Sequence, residues 1–253
     1  MIEPMTGLAP LLIAAVAGGA LLGGLASGLA GFAFAATTLG IYTHIVPAPL
    51  ISPLIVACSL AVQLQIMPML WRRLDWRAAV PFVIGGVIGV PLGVWLLSRM
   101  SPDTFRLFAG VVLIVYATSA LASRRMPSVR VENRAVDGLI GWAGGVLGGF
   151  AGLSGVVPTI WCSLRRWPKD RQRSVFQLFN TAMHIATLTG YAMAGRLTLE
   201  VGQLFLVALP AAWLGGWLGF RVYRRIDDQA FARVLLILLG FSGVTMVVPH
   251  LVR

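Results

Sequence analysis

Residues 138–164 read GLIGWAGGVLGGFAGLSGVVPTIWCSL and contain no Asp, Glu, Lys or Arg. This run has 27 residues, whereas one helical crossing of a bilayer needs about 20 and two need about 40. Its centre, Gly148 to Gly155, is rich in glycine, which weakens a helix and permits sharp turns. The run therefore predicts two half-helices that meet at a turn within the membrane. Residues 8–43 have the same design, with Ser27 to Gly31 at the centre.

The composition extends this interpretation to the whole chain of 253 residues. Hydrophobic residues make up 58% and charged residues 11%, against roughly 25% charged in a soluble domain. The net charge of +11 comes from arginines in short loops between apolar runs, a pattern typical of contacts with anionic lipid rather than with nucleic acid. All but one of the basic residues are Arg, which hints at a GC-rich bacterial genome. We therefore expect an all-α polytopic protein of the bacterial inner membrane.

The two halves of the chain resemble each other. Gly28-Leu29-Ala30-Gly31 returns as Gly152-Leu153-Ser154-Gly155, and Leu22-Gly23-Gly24 returns as Leu147-Gly148-Gly149. Gly89 and Gly93 return as Gly215 and Gly219. The shared order and near-constant offset predict a duplication, with repeat 1 in residues 1–125 and repeat 2 in residues 126–253. Internal repeats are the usual construction of secondary transporters.

The loop charges favour one topology. If both glycine-rich stretches crossed the membrane once, the basic residues would divide 11 against 9. If both are re-entrant hairpins, the division is 16 against 4, which the positive-inside rule prefers. Each repeat then has three full crossings, so the second repeat is inverted and both termini lie outside the cytoplasm. The predicted elements are hairpin 8–43, helices 48–70, 78–98 and 106–123, hairpin 136–163, and helices 174–194, 201–220 and 233–250.

The hairpin tips are the first candidates for a binding site. A half-helix that begins inside the membrane directs free N–H groups and the positive end of its dipole toward the centre, where an anion can bind. The candidate donors are the backbone N–H groups of Gly28 to Gly31 and of Gly152 to Gly155, with the Ser27 and Ser154 hydroxyls beside them. Ser154 also lies where an N-cap is expected. The alternative is that these glycines only permit close packing of helices.

Polar side chains in two long predicted helices are the second set of candidates. Polar groups inside a membrane are costly and mark pathways, although they can also serve only to join helices by hydrogen bonds. His184 is the only ionisable side chain expected near the bilayer centre, so it is the candidate for proton coupling, with a neutral structural histidine as the alternative. The candidates are Gln63, Gln177, Asn180, Thr181 and His184.

The sequence has no pattern typical of an enzyme. It contains no Walker motif, no metal-ligand cluster and no nucleophile–base set, and Cys58 and Cys162 lie apart within apolar runs. We therefore expect no cofactor, no metal and no catalytic activity. The expected partners are membrane lipid and a small anion, without nucleic acid.

Three segments make the chain similar to one known family. They are Gly23 to Gly31, Gly148 to Pro158, and Arg173-Ser174-Val175-Phe176-Gln177-Leu178-Phe179-Asn180 followed by Gly195-Arg196-Leu197. Together they resemble the sulfite exporter TauE/SafE family of membrane permeases. The resemblance implies export of sulfite, an organosulfonate or a related small anion. A secondary transporter with alternating access around a midplane site is the leading hypothesis. The alternatives are an anion channel of the same architecture and a membrane assembly partner without transport.

Overall fold

The protein is described by a computed structural model that covers residues 10–101, 103–104, 107–108, 110–112, 114–115, 118, 129 and 133–225. Regular structure in this part of the chain is helical, as predicted. The predicted helix 233–250 and most of the predicted helix 106–123 lie outside it. The helices are α1 (Pro10–Ala30), α2 (Phe34–Ile45), α3 (Ala48–Leu70), α4 (Trp76–Arg99), α5 (Arg134–Ala151), α6 (Val156–Leu164), α7 (Lys169–Met193) and α8 (Leu199–Tyr223), with a 3₁₀ turn at Trp71–Arg73.

Four of these helices, α1, α3, α4 and α8, are long and apolar enough to cross a membrane. Helices α4 and α8 leave large apolar side chains exposed on their outer faces, among them Ile88, Trp95, Leu206 and Trp213. A soluble protein rarely exposes a continuous apolar surface of this kind, whereas lipid covers it in a membrane protein. Helix α7 begins at Lys169, five residues before the predicted start, and so carries charged residues in its first turns.

Glycines join the outer helices into two close pairs. A Cβ atom on Gly24 or Gly28 of α1 would overlap the carbonyl oxygen of Ala212 or Gly216 of α8. In the same way, Cβ atoms on Gly85, Gly89 and Gly93 of α4 would overlap the carbonyl oxygens of Gly138, Trp142 and Val146 of α5. Residue numbers rise together along both contacts, so each pair is parallel. Small residues allow this close approach of helix backbones, which is how helices associate in lipid.

Each glycine-rich stretch contains a break followed by a short helix that runs back. Helix α1 ends before Gly31 (φ +88°), and the Tyr42 hydroxyl of α2 donates to the Val16 carbonyl of α1 at 2.8 Å. Helix α5 ends before Gly152 (φ +73°). Positive φ is the left-handed conformation that glycine adopts without strain and that commonly ends helices. Helices α2 and α6 have 12 and 9 residues, about 18 and 14 Å, too short to cross a bilayer of about 30 Å.

A buried ion pair fixes the ends of the second break. Arg165, which follows α6, lies 2.9 Å from the carboxylate of Asp137 in the first turn of α5. Trp161 Nε1 donates to the same carboxylate at 2.8 Å, and the Arg165 guanidinium lies over the ring of Trp167. The start of α5 and the end of α6 are therefore in contact, which gives this segment the form of a hairpin.

Helices α3 and α7 form the interior between the two parallel pairs. Both begin after a proline, Pro47 and Pro168, with nearly the same backbone angles. Proline suits this position because it has no N–H that the helix must satisfy. Most of α3 is buried, and residues 173–181 of α7 are buried without interruption. The polar residues within these buried stretches therefore face protein rather than lipid.

Candidate functional site

The two breaks meet at the middle of α7. Asn180, the twelfth of the 25 residues of α7, donates from Nδ2 to the Gly31 carbonyl at 3.1 Å. Its Oδ1 accepts a hydrogen bond of 2.7 Å from the Ser154 hydroxyl. Phe32 packs edge-on against Phe176, and a Cβ atom on Gly155 would overlap the Phe32 side chain. One asparagine thus bridges the turns of both glycine-rich stretches.

Two glutamines complete the connection between α3 and α7. Gln63 Nε2 donates to the Gly31 carbonyl, and Gln177 Nε2 donates to the Gln63 carbonyl at 2.7 Å. Both amide nitrogens face carbonyl acceptors, so the orientation of each amide is fixed and each Oε1 is left as an acceptor. Thr181 bonds back to the Gln177 carbonyl within α7. The predicted residues Gln63, Gln177, Asn180 and Thr181 are thus in one buried network.

The structure corrects two expectations about the tips. Gly28 lies inside α1, packed on α8, and the Gly31 amide donates to the Ser27 carbonyl at 2.7 Å. The Gly152 amide likewise donates to the Gly148 carbonyl. These amides are used in the last turns of α1 and α5, so amides without an intrahelical acceptor belong instead to the first turns of α2 and α6. Ser154 is not an N-cap either: Gly155 holds that position, and the Ser154 hydroxyl bonds to Asn180.

Several buried polar atoms around this network have no hydrogen-bond partner within the described part of the chain. A buried polar group normally has one, because leaving it unpaired costs about 1–3 kcal/mol. Such atoms are concentrated along α3 and α7, with one on α1 near its end. Two of these atoms belong to Gln65 and Arg173. The others are Ser27 Oγ, Ser59 Oγ, Gln63 Oε1, Gln177 Oε1, His184 Nδ1 and Thr187 Oγ1. This set can supply both acceptors and hydroxyl donors to a small ligand or to water.

Arg173 is not among the site residues predicted from the sequence, because it precedes the predicted helix 174–194 and was expected in a basic loop. The structure buries Arg173 in the second turn of α7, where its guanidinium donates to the carbonyls of Gly28 and Leu29 at 2.9 Å. The polar stripe of α7 held the signal that could have found it. Arg173, Gln177, Asn180 and His184 are spaced i, i+4, i+7 and i+11, so the stripe extends one turn toward the start of the helix.

The described residues hold no cluster of three or more His, Cys, Asp or Glu side chains that could bind a metal. Cys58 and Cys162 are both buried and unbonded to each other. The polar network is built instead from amides, hydroxyls, one histidine and one arginine. Its chemistry fits recognition by hydrogen bonds and charge.

Comparison with known proteins points to one family of membrane proteins. The family model described as sulfite exporter TauE/SafE matches residues 15–246. The chain is 26% identical over 196 residues to the probable inner membrane transporter protein TsaS of Comamonas testosteroni, covering 72% of this chain and 76% of that protein. It is 23% identical over 201 residues to the probable membrane transporter protein YunE of Bacillus subtilis (strain 168), covering 67% and 70%. No solved structure matches the chain.

Proposed function

We infer function from one premise, that the chain belongs to the sulfite exporter TauE/SafE family of membrane transporters. We propose that it is a secondary transporter that exports a small anion, such as sulfite or an organosulfonate. The observation that carries the proposal is the meeting of both broken helices at Asn180, beside buried polar atoms that lack partners among the described residues. Irregular backbone is tolerated at membrane depth only where protein or a water-filled cavity covers it.

We further propose alternating access around this site. The two glycine-packed pairs, α1 with α8 and α4 with α5, would rock against each other as rigid units about the breaks, as bundles do in transporters built from inverted repeats. The anion would be held by the first-turn amides of α2 and by the Val157 amide of α6, because the Val156 amide donates to the Leu153 carbonyl and Pro158 has no N–H. The site residues Ser27, Gly31, Gly152, Ser154 and Gly155 lie at the turns. His184, buried on the polar face of α7, remains the candidate for proton coupling.

The test is sulfite flux into proteoliposomes that contain the purified protein. A transporter should show saturable flux that an imposed gradient drives, whereas a channel would show conductance that does not saturate. Flux at the level of empty liposomes, from folded protein and across sulfite, thiosulfate and sulfonates, would contradict the proposal.

Asn180→Ala tests the site within the same assay. The substitution removes both hydrogen bonds that join the two breaks, so we expect flux to fall about tenfold or more, which corresponds to the loss of about 1.4 kcal/mol or more at the site. Thr189→Ala is the matched control, because Thr189 is exposed on the same helix and, in the part of the chain that the structure describes, its hydroxyl bonds only to the Ile185 carbonyl. Equal flux in both variants would remove Asn180 from the site.

A further inference from the structure

Arg173 is a buried cation whose partners are main-chain oxygens. Its guanidinium donates to the carbonyls of Gly28 and Leu29, and more weakly to that of Ser27 at 3.4 Å. The rings of Tyr223 and Phe220 lie at 5.1 and 5.9 Å from its central carbon. Only 3% of the residue is exposed, and its Nε has no hydrogen-bond partner among the described residues.

Within the described residues, the charge of Arg173 is only partly compensated. The carbonyls belong to the last turn of α1, whose dipole is equivalent to about half a negative charge. The partners of the guanidinium in the described part of the chain include no carboxylate. A buried charge normally needs a full counter-charge, because removing an ion from water costs several kcal/mol. A bound anion would supply that counter-charge.

Arg173 also lies beside the break in α1. A Cβ atom on Gly31 would be 3.0 Å from Arg173 Nη1, so the guanidinium is in contact with the turn that Asn180 bridges. Ser27, whose hydroxyl has no partner among the described residues, contributes a carbonyl to the same contact. The guanidinium and the polar network are therefore parts of one site.

A small cavity lies beside Arg173, at the end of the bundle where α7 begins and α8 ends. Its volume is about 10 Å³, enough for about one water molecule. The Tyr223 hydroxyl donates to Asp170 at 3.1 Å at this end, which holds its ring beside the guanidinium. The lining residues are Leu70, Asp170, Arg173, Ser174 and Tyr223.

From this geometry we propose that Arg173 recognises the charge of the transported anion, which reaches it from the end of the bundle closed by Tyr223 and Asp170. The proposal rests on the anion-transport function proposed above. An oxyanion such as sulfite or a sulfonate suits the site, because the planar guanidinium fork can donate two parallel hydrogen bonds to two of its oxygens. The anion would take the place of the α1 carbonyls, which frees the last turn of α1 to move.

The experiment measures the apparent Kd for sulfite, from the shift in unfolding temperature, in wild type, Arg173→Gln, Arg173→Lys and Arg171→Gln. Arg171 is the matched control, because it lies on the same helix, half exposed, with an ion pair to Asp75. We expect Arg173→Gln to raise the Kd about tenfold or more, and Arg173→Lys to raise it less because the charge remains. Arg171→Gln should bind as the wild type does.

The outcomes separate this inference from the transport proposal. If the wild type binds sulfite and the Arg173 variants bind it equally well, Arg173 only caps α1 and the inference is overturned while transport stands. If the wild type responds to no anion, both fall. Should the Arg173 variants not fold, Tyr223→Phe decides, with the rate of sulfite binding followed by stopped-flow tryptophan fluorescence. Faster binding than in the wild type supports the inference, and an unchanged rate overturns it.

Discussion

Single residues set how closely the two breaks approach each other. Gly155 has ordinary helical angles, φ −74° and ψ −12°, so its backbone would accept any residue. Phe32 of the other break fills the space where a side chain would lie. The contact between the breaks therefore depends on the absence of a Cβ atom at this position rather than on a special backbone conformation.

This contact gives a prediction for Gly155→Ala. The added methyl group must displace Phe32, so we expect a loss of about 1–3 kcal/mol in stability, with reduced transport. Adding Phe32→Gly to the same chain should recover much of the transport, because the new methyl group would clash first with the Phe32 Cβ atom, which glycine lacks. Gly202→Ala is the control, since the space around Gly202 is open. The measurements are thermal unfolding and sulfite flux, and a double variant no better than Gly155→Ala would contradict this reading.

Helices pair through backbone contact in this molecule. Gly89 and Gly93 lie in the α4–α5 contact. Their counterparts in the second half of the sequence, Gly215 and Gly219, lie in the α1–α8 contact. A Cβ atom there would meet a carbonyl oxygen, which cannot move without shifting a helix. Gly28 also lies in the α1–α8 contact. Its contacts favour the interpretation that this glycine permits close packing of helices, rather than the interpretation that its amide binds an anion.

We therefore predict that Gly89→Ala and Gly215→Ala each lower the stability by about 1–3 kcal/mol or more. Gly18→Ala is the control within α1, where nothing lies near the new methyl group. That control should be neutral or slightly stabilising, because glycine in a helix costs about 0.5–1 kcal/mol relative to alanine. Thermal unfolding in detergent measures all three. Equal unfolding temperatures would show that these contacts can relax.

At the scale of the whole molecule, the halves exchange partners. Helix α1 of the first half packs on α8 of the second, and α5 of the second half packs on α4 of the first. Helices α4 and α7 run in the same direction. The amide of Asp75, just before α4, donates to the Ser174 hydroxyl near the start of α7. Arg196, just after α7, donates to the Leu97 carbonyl near the end of α4. The loop after α3 and the loop after α7 therefore lie at opposite ends of the bundle.

Orientation in the membrane follows as a prediction. The loop charges place Arg72 on the cytoplasmic side and Leu197 on the other side. A thiol reagent that cannot cross the membrane should label Arg72→Cys only from the cytoplasm and Leu197→Cys only from outside. The native Cys58 and Cys162 are buried and should stay silent. Labelling from the reverse sides would invert the proposed topology.

Features that depend on local composition could be predicted from the sequence. Apolar runs identified a helical membrane protein, and short glycine-containing motifs identified the family, both of which are confirmed. Glycine content marked the two stretches in which the structure has its breaks, at Gly31 and Gly152. Hydropathy and glycine content can be read along the chain because the tendency of a segment to enter the bilayer, or to break a helix, depends mainly on its own residues.

Features that depend on contacts between distant segments could be seen only in the folded structure. The burial of Arg173 required the end of α1, some 145 residues away along the chain, to present its carbonyls. The pairing of α1 with α8 and the bridge through Asn180 likewise join residues whose patterns give no sign of their partner. The spacing of Arg173 could have placed it on the polar stripe of α7, but its burial depends on the α1 carbonyls that surround it, and these only the fold supplies.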